Sequence, residues 1–251
     1  MNPLNLVTDR YERQARLYPA LVVIAPIAVT VLALMSMKLS GLESLGAIVG
    51  GCGGIFLLSQ LARDAGKNGE KALFEGWGGT PSVTIFRHRD TRLDSITKAR
   101  YHKTLAVLVK GAKAPSVEEE RVDPTAADLI YTSWSSYLRV KARDDAKKYP
   151  LVLQENVNYG YRRNLRGLRT LGIITTTLCC TIAIVWSYVS YRATGKVSEE
   201  LAGAFTLGLL FLLLWIFRFS PSWVRLAADA YAERLAETVD TISAKVPART
   251  K

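Results

Sequence analysis

The sequence predicts an all-α integral membrane protein. It is expected to have four transmembrane helices in two hairpins, a basic and mainly helical cytoplasmic domain between them, and a C-terminal amphipathic helix. Three observations lead there. Apolar residues make up 49% of the 251, and they gather into four runs instead of being scattered at helix or strand period. The links inside each pair of runs are short, so each pair must fold back on itself. Between the pairs lies a polar block, residues 63–170, holding 21 Lys and Arg against 13 Asp and Glu, which is +8 of the chain's net +11.

The first stretch, 1–18, is polar, with Asp9, Glu12, Arg13 and Arg16 at helical spacing and Tyr11 and Tyr18 beside them. It reads as an interfacial helix. Charges precede the first apolar run and no small-residue cleavage site follows it, so no signal peptide is expected. Hairpin 1 covers 19–62. Its first span, Pro19–Met37, is about 28 Å long at a helical rise of about 1.5 Å per residue, close to the hydrocarbon thickness. Pro26 removes a backbone donor in mid-span and should kink it. After the link 38–43, the second span, Gly41–Ala62, carries Gly46, Gly50 and Gly54 in two GxxxG steps. Glycine lets helix backbones approach closely in lipid. The ladder would pack either on the first span or on another subunit.

In the middle block, 63–170, Gly76-Trp77-Gly78-Gly79-Thr80-Pro81 reads as a loop. Ser82–Phe86 reads as a short strand or extended piece, and Thr97–Lys110 as a helix. Pro115–Asp123 interrupts, and Asp123-Pro124 starts a helix by a capping carboxylate and a first-turn proline, running to about Lys148. Pro150 ends it. Leu151–Thr170 is an arginine-rich helix entering the membrane.

Hairpin 2 covers 171–217. The third span, Leu171–Tyr191, is polar for lipid, and Thr175, Thr177 and Thr181 are the candidate pore-lining residues. The competing reading is that these hydroxyls bond back to their own helix. Trp186, Tyr188 and Tyr191 form an aromatic belt. The fourth span, Glu200–Phe217, carries Ala204 and Gly208 at small-xxx-small spacing for helix packing. The tail, 218–251, contains an amphipathic helix, Ser222–Lys245, whose mixed charge suits packing on protein, either the middle block or a neighbouring subunit. The links 38–43 and 192–199 hold only Lys38, Arg192 and Lys196, so the positive-inside bias puts both termini and the block in the cytoplasm.

No complete catalytic motif is present, and the chain is not expected to be an enzyme. No cofactor is expected. Cys52, Cys179 and Cys180 lie in apolar runs and make no disulfide framework or metal knuckle. His88 and His102, with Asp90 and Asp94 nearby, lack metal-ligand spacing, so no metal site is predicted. A hydrogen-bonding or base role suits them better. The best polar constellation is Arg87-His88-Arg89-Asp90-Thr91-Arg92, followed by Lys98, Arg100, His102 and Lys103; a second is Tyr159-Gly160-Tyr161-Arg162-Arg163 with Arg166 and Arg169. Guanidiniums grip phosphate and rings stack on bases, so both are candidate sites for a nucleotide or oligonucleotide. For 159–169, directly before a span, anionic lipid is the competing ligand.

Two blocks carry a resemblance. One is Arg10-Tyr11-Glu12-Arg13-Gln14-Ala15-Arg16-Leu17-Tyr18-Pro19. The other is Gly78-Gly79-Thr80-Pro81 leading through Arg87-His88-Arg89-Asp90 to Thr97-Lys98-Ala99-Arg100-Tyr101-His102. They resemble a family of small bacterial multi-pass membrane proteins. The layout resembles membrane effectors of nucleotide-signalling anti-phage defence, in particular the HalB channel component of Hailong systems. There a nucleotidyltransferase makes an oligodeoxyadenylate that holds a channel shut. The resemblance implies a homo-oligomeric channel of the bacterial inner membrane, regulated by a nucleic-acid-like ligand, that depolarises the membrane when activated. A nucleotidyltransferase is the kind of partner it implies. The rival expectation is a non-channel scaffold that anchors a cytoplasmic protein partner.

Overall fold

The structure, a computed structural model, describes residues 8–36 and 52–243. Every regular element among them is helical. We number them α1 Arg10–Ser36, α2 Cys52–Trp77, α3 Pro81–Thr84, α4 Ser95–Leu108, α5 Val117–Val122, α6 Pro124–Asp144, α7 Pro150–Gly167, α8 Arg169–Thr194, α9 Glu199–Arg218 and α10 Pro221–Ser243. Two compact units emerge: Met1–Glu70 with Gly160–Val224, and Lys71–Tyr159 with Arg225–Lys251. The ends of the charge-defined block thus belong with the first unit, and most of the C-terminal tail belongs with the second. Helices α2, α7 and α10 each begin in one unit and end in the other.

The first unit contains three helices long and apolar enough to cross a membrane, α1, α8 and α9, and these pack on one another. The first half of the expected second span, Gly41–Ala62, lies outside the described residues, with Gly46 and Gly50; its second half, from Cys52, opens α2, where Gly54 is partly buried. Close approach in the unit is made by glycine. A Cβ on Gly172 of α8 would sit 2.2–2.5 Å from the indole of Trp215, and one on Gly208 of α9 would sit 2.7 Å from Cys180 Sγ. Ala204 is buried in a cluster with Ala33, Leu34 and Leu201. The small residues of the fourth span therefore pack within this chain.

The expected N-terminal interfacial helix is not a separate element. Asp9 caps α1, accepting from the Glu12 N–H at 2.8 Å, and the helix runs on into the apolar span through a π turn, Arg13–Leu17. Ala15 is fully buried. The stretch is held by protein because its small residue faces Gly160, where an added Cβ would be only 3.1 Å from Ala15 Cβ.

The second unit is built on one core. Phe86, Tyr101, Leu105, Tyr131, Trp134 and Leu138 are its centre, and Ala232, Leu235, Ala236 and Val239 of α10 close it. Of the two partners open to the amphipathic tail helix, the structure shows the middle block. Residues 82–86 are not a strand. Thr80 is extended, Pro81 takes the first helical position with φ preset, and the N–H groups of Val83 and Thr84 both donate to Thr80 O. No neighbouring strand among the described residues offers a ladder for this segment, so local turn chemistry decides its structure.

Candidate functional site

The segment 78–98 organises the second unit's polar site. Gly78 and Gly79 have φ of +79° and +135°, conformations that a side chain resists. At Gly79 a Cβ would also lie 2.9 Å from Arg87 Nη2. The turn they make delivers Gly78 O to Arg87 Nη1 at 2.8 Å. The rest of the Arg87 fork is bidentate on Asp128 of α6, Nε to Oδ1 at 2.8 Å and Nη2 to Oδ2 at 2.6 Å. Those hydrogen bonds outweigh burial and raise the Arg87 pKa further. Arg92 spans Asp90, Thr84 Oγ1 and, at 2.6 Å, Asp229 of α10.

Lys98 is 5% exposed. Its Nζ donates to Arg87 O at 2.9 Å, His88 O at 3.3 Å and Asp90 O. Three ammonium donors meet three carbonyls that no helix satisfies, which is why a lysine can sit there. Burial lowers its pKa. Glu120 of α5, also 5% exposed, accepts from the His88 backbone N–H and the Tyr131 hydroxyl, both at 2.8 Å.

The two histidine rings meet edge-on at 4.8 Å between centroids. Each bonds a carbonyl through Nε2: His88 to Pro115 O at 2.9 Å, His102 to Phe86 O at 2.7 Å. A carbonyl only accepts, so both Nε2 atoms carry the proton. His102 lies against Trp134 and Tyr131. Burial lowers its pKa to about 4, against the raising effect of the Phe86 carbonyl, so the ring is neutral at pH 7. Among the described residues, no group of three His, Cys, Asp or Glu could hold a metal ion.

A cavity of about 790 Å3 opens beside this framework, lined by His88, Arg89, Lys98, Glu120, Arg121 and Asp94 among others. Of the residues singled out by sequence, it gathers His88, Arg89, Asp90, Thr91, Asp94 and Lys98. Arg89 is exposed. Arg87 and His102 stand behind the wall as its supports. Arg100 pairs with Asp240 at 3.0 Å and Lys103 is exposed on α4.

Arg162 and Arg163 belong to the first unit, in a different setting. Arg163 is 7% exposed; Nη1 reaches Glu70 at 2.9 Å and Nε and Nη2 reach Asn164 Oδ1 at 3.1 Å. Asn164 Nδ2 in turn donates to Ala15 O, inside the π turn, at 2.6 Å. Arg162 Nη1 donates to Trp223 O at 2.9 Å with its guanidinium 5.1 Å from that ring. These side chains are framework at a helix junction, where Gly66 and Gly167 bring α2 and α7 into backbone contact. The candidate pore residues lie in α8. Thr175 Oγ1 bonds Leu171 O at 2.9 Å and Thr181 Oγ1 bonds Thr177 O at 3.0 Å, while Thr177 and Thr181 are exposed.

Sequence reasoning missed Glu120, Glu70, Asn164, Gly66 and Gly167, and it placed Lys98 in the basic constellation without its burial. A carboxylate and an asparagine each buried by contacts distant in sequence leave no local pattern. The spacing Asn164-x-x-Gly167, one polar and one small residue a turn apart, is the one local signal that could have pointed to a helix crossing.

The fold and site define an all-helical protein with membrane-spanning potential in one unit and a polar cavity in the other. Comparison with protein-family models, with curated proteins and with solved structures gives no match.

Proposed function

We propose that the chain is a subunit of an oligomeric pore in a bacterial inner membrane, gated through the cavity of its second unit by a nucleotide or oligonucleotide. By the resemblance described above, its role would be an anti-phage effector that depolarises the membrane when activated. Both termini would be cytoplasmic. One observation carries the reading. The hydroxyl face of α8, Thr177 and Thr181, is exposed, whereas the same helix buries Gly172, Thr176, Cys179 and Ala183. The two threonines stand on that outward face among exposed Ile174, Leu178, Ile184 and Val185, and they are the polar part of a face that would be shared between copies. The shared helices α2, α7 and α10 supply the means by which a ligand preferring one state would bias the membrane helices. Single-channel recording from reconstituted protein tests it. Thr177→Val and Thr181→Val together should change conductance or ion preference, and Arg89→Gln should change open probability alone. Absence of any conductance, with or without oligodeoxyadenylate, refutes the pore.

A second reading has its own support. Val117, Val122 and Leu129 are 65–72% exposed, and an apolar cavity of about 450 Å3 lies at α5 and α6, lined by Ala114, Pro115, Val122, Ala126 and Ile130. Such a surface suits a membrane-anchored scaffold for a protein partner. A non-conducting protein that loses a co-purifying partner on Val122→Glu would favour it.

A further inference from the structure

The first unit holds three arginines at one end of the α8–α9 hairpin. Arg166 is the last-turn arginine of α7, Arg169 opens α8 and Arg218 closes α9. Arg169 fixes the geometry: Nε donates to Trp215 O at 2.9 Å and Nη2 to Ile216 O at 3.0 Å. These are carbonyls of the π turn Leu214–Arg218 that ends α9, so the first residue of one span is tied to the last turn of the other. Arg218 follows Ile216 by two residues, exposed, with its guanidinium 4.9 Å from the Trp223 ring. Arg166 lies one turn before Arg169, and the two charges repel: burial first, then Arg169, lowers the Arg166 pKa.

Among the described residues, none of the three has a carboxylate within ion-pair distance. The contrast within the same unit is sharp, because Arg163 has Glu70 and Arg16 has Glu12. Three cations held together without a counter-charge, at the level where two apolar helices end, leave an anion to be supplied from outside. Guanidiniums bind phosphate oxygens by charge-assisted forks, and a buried aromatic row, Phe219 in ring contact with both Trp215 and Trp223, backs the turn that carries Arg218.

We propose that Arg166, Arg169 and Arg218 form a phosphate-binding site for the headgroup of an anionic phospholipid at the mouth of the α8–α9 hairpin. The proposal is independent of whether a pore opens.

Native mass spectrometry of the full chain, extracted from vesicles containing equal phosphatidylcholine and phosphatidylglycerol, tests it. The parent protein should retain phosphatidylglycerol in preference to phosphatidylcholine. Arg166→Gln with Arg218→Gln should reduce that preference by about tenfold, the effect of losing charge-assisted contact to phosphate. Neither side chain makes a hydrogen bond to protein among the described residues, so the fold should persist, as elution and melting would verify. If the double variant fails those checks, Arg218→Gln alone is read instead. Retention that resists 10 mM inorganic phosphate assigns the site to lipid. Displacement by phosphate overturns the lipid source in favour of a soluble anion. Equal retention of both lipids by the parent, or an unchanged preference in the variant, overturns the site.

Discussion

Replacing Gly167 by alanine tests the junction of α2 and α7 at its tightest point. A Cβ there would lie 2.4 Å from Gly66 N, 2.6 Å from Ala65 C and 2.8 Å from Gly66 Cα. All three are backbone atoms, so no side chain can swing aside. Ordinary contact begins at 3.4 Å, so the helices must part by about 1 Å, and the Arg163–Glu70 bond between them, at 2.9 Å, stretches with them. Overpacking of this kind costs about 1–3 kcal/mol, partly offset by about 1 kcal/mol of helix propensity gained from glycine to alanine. The internal control is Gly69, one turn further along α2, where an added Cβ meets nothing within 4 Å. Gly69→Ala keeps the propensity gain and incurs no clash. The two variants should therefore differ by about 2 kcal/mol, or roughly 4–8 °C in Tm for a chain of this size, with Gly69→Ala the more stable. Thermal unfolding of the detergent-solubilised protein reads it directly. A Gly167→Ala protein that melts with or above Gly69→Ala refutes the backbone crossing.

Two further outcomes follow from the second unit. His102 has a folded pKa of about 4 against an ordinary 6.5, so the unfolded chain takes up a proton first as pH falls. Its contribution is complete above about pH 6.5 and lost progressively between pH 6.5 and 4, amounting to about 3 kcal/mol. The facing groups His88, Lys98 and Glu120 share in that balance, so denaturant midpoints of parent and His102→Gln should converge as pH drops from 7 to 5; parallel curves contradict the buried neutral ring. Lys98→Met keeps the apolar stem and deletes the ammonium, leaving Arg87 O, His88 O and Asp90 O without that donor. It should destabilise by about 2 kcal/mol and loosen the cavity wall, seen as faster amide exchange over 85–92. Unchanged exchange would assign the ordering of that segment to Arg92 instead.

What was legible in the sequence was whatever a local pattern encodes. The helices at α4, α6, α8, α9 and α10 follow from periodicity, a capping Asp123, a first-turn Pro124 and unbroken apolar runs. The segment 82–86 misled because Val83, Ile85 and Phe86 look strand-like, while Pro81 and the two positive-φ glycines before it set a helical turn. The arginines were legible as charge and illegible in purpose. Arg87, Arg92 and Arg163 each meet a carboxylate far along the chain, Asp128, Asp229 and Glu70 respectively, and no spacing rule connects such pairs. The cavity drew on His88 and Arg89 as read, yet its shape depends on Lys98 and Glu120, whose burial only the fold reveals.

The π turn at Arg13–Leu17 has a geometric consequence for α1. A π turn accommodates a surplus residue relative to the α-helix, and Asn164 holds that surplus by occupying Ala15 O. Relaxing it to α would advance everything beyond Leu17 by one residue, a screw motion of about 1.5 Å and about 100°. Val23, Ala33 and Leu34, now buried, would turn away from α8 and α9, and a different stripe of the span would face them. The junction thus stores a discrete rotation of a whole membrane-length helix behind one amide hydrogen bond. Cysteine accessibility along 20–34 in Asn164→Ala would show the rotation as a shift of the labelled stripe by one position in the helical wheel.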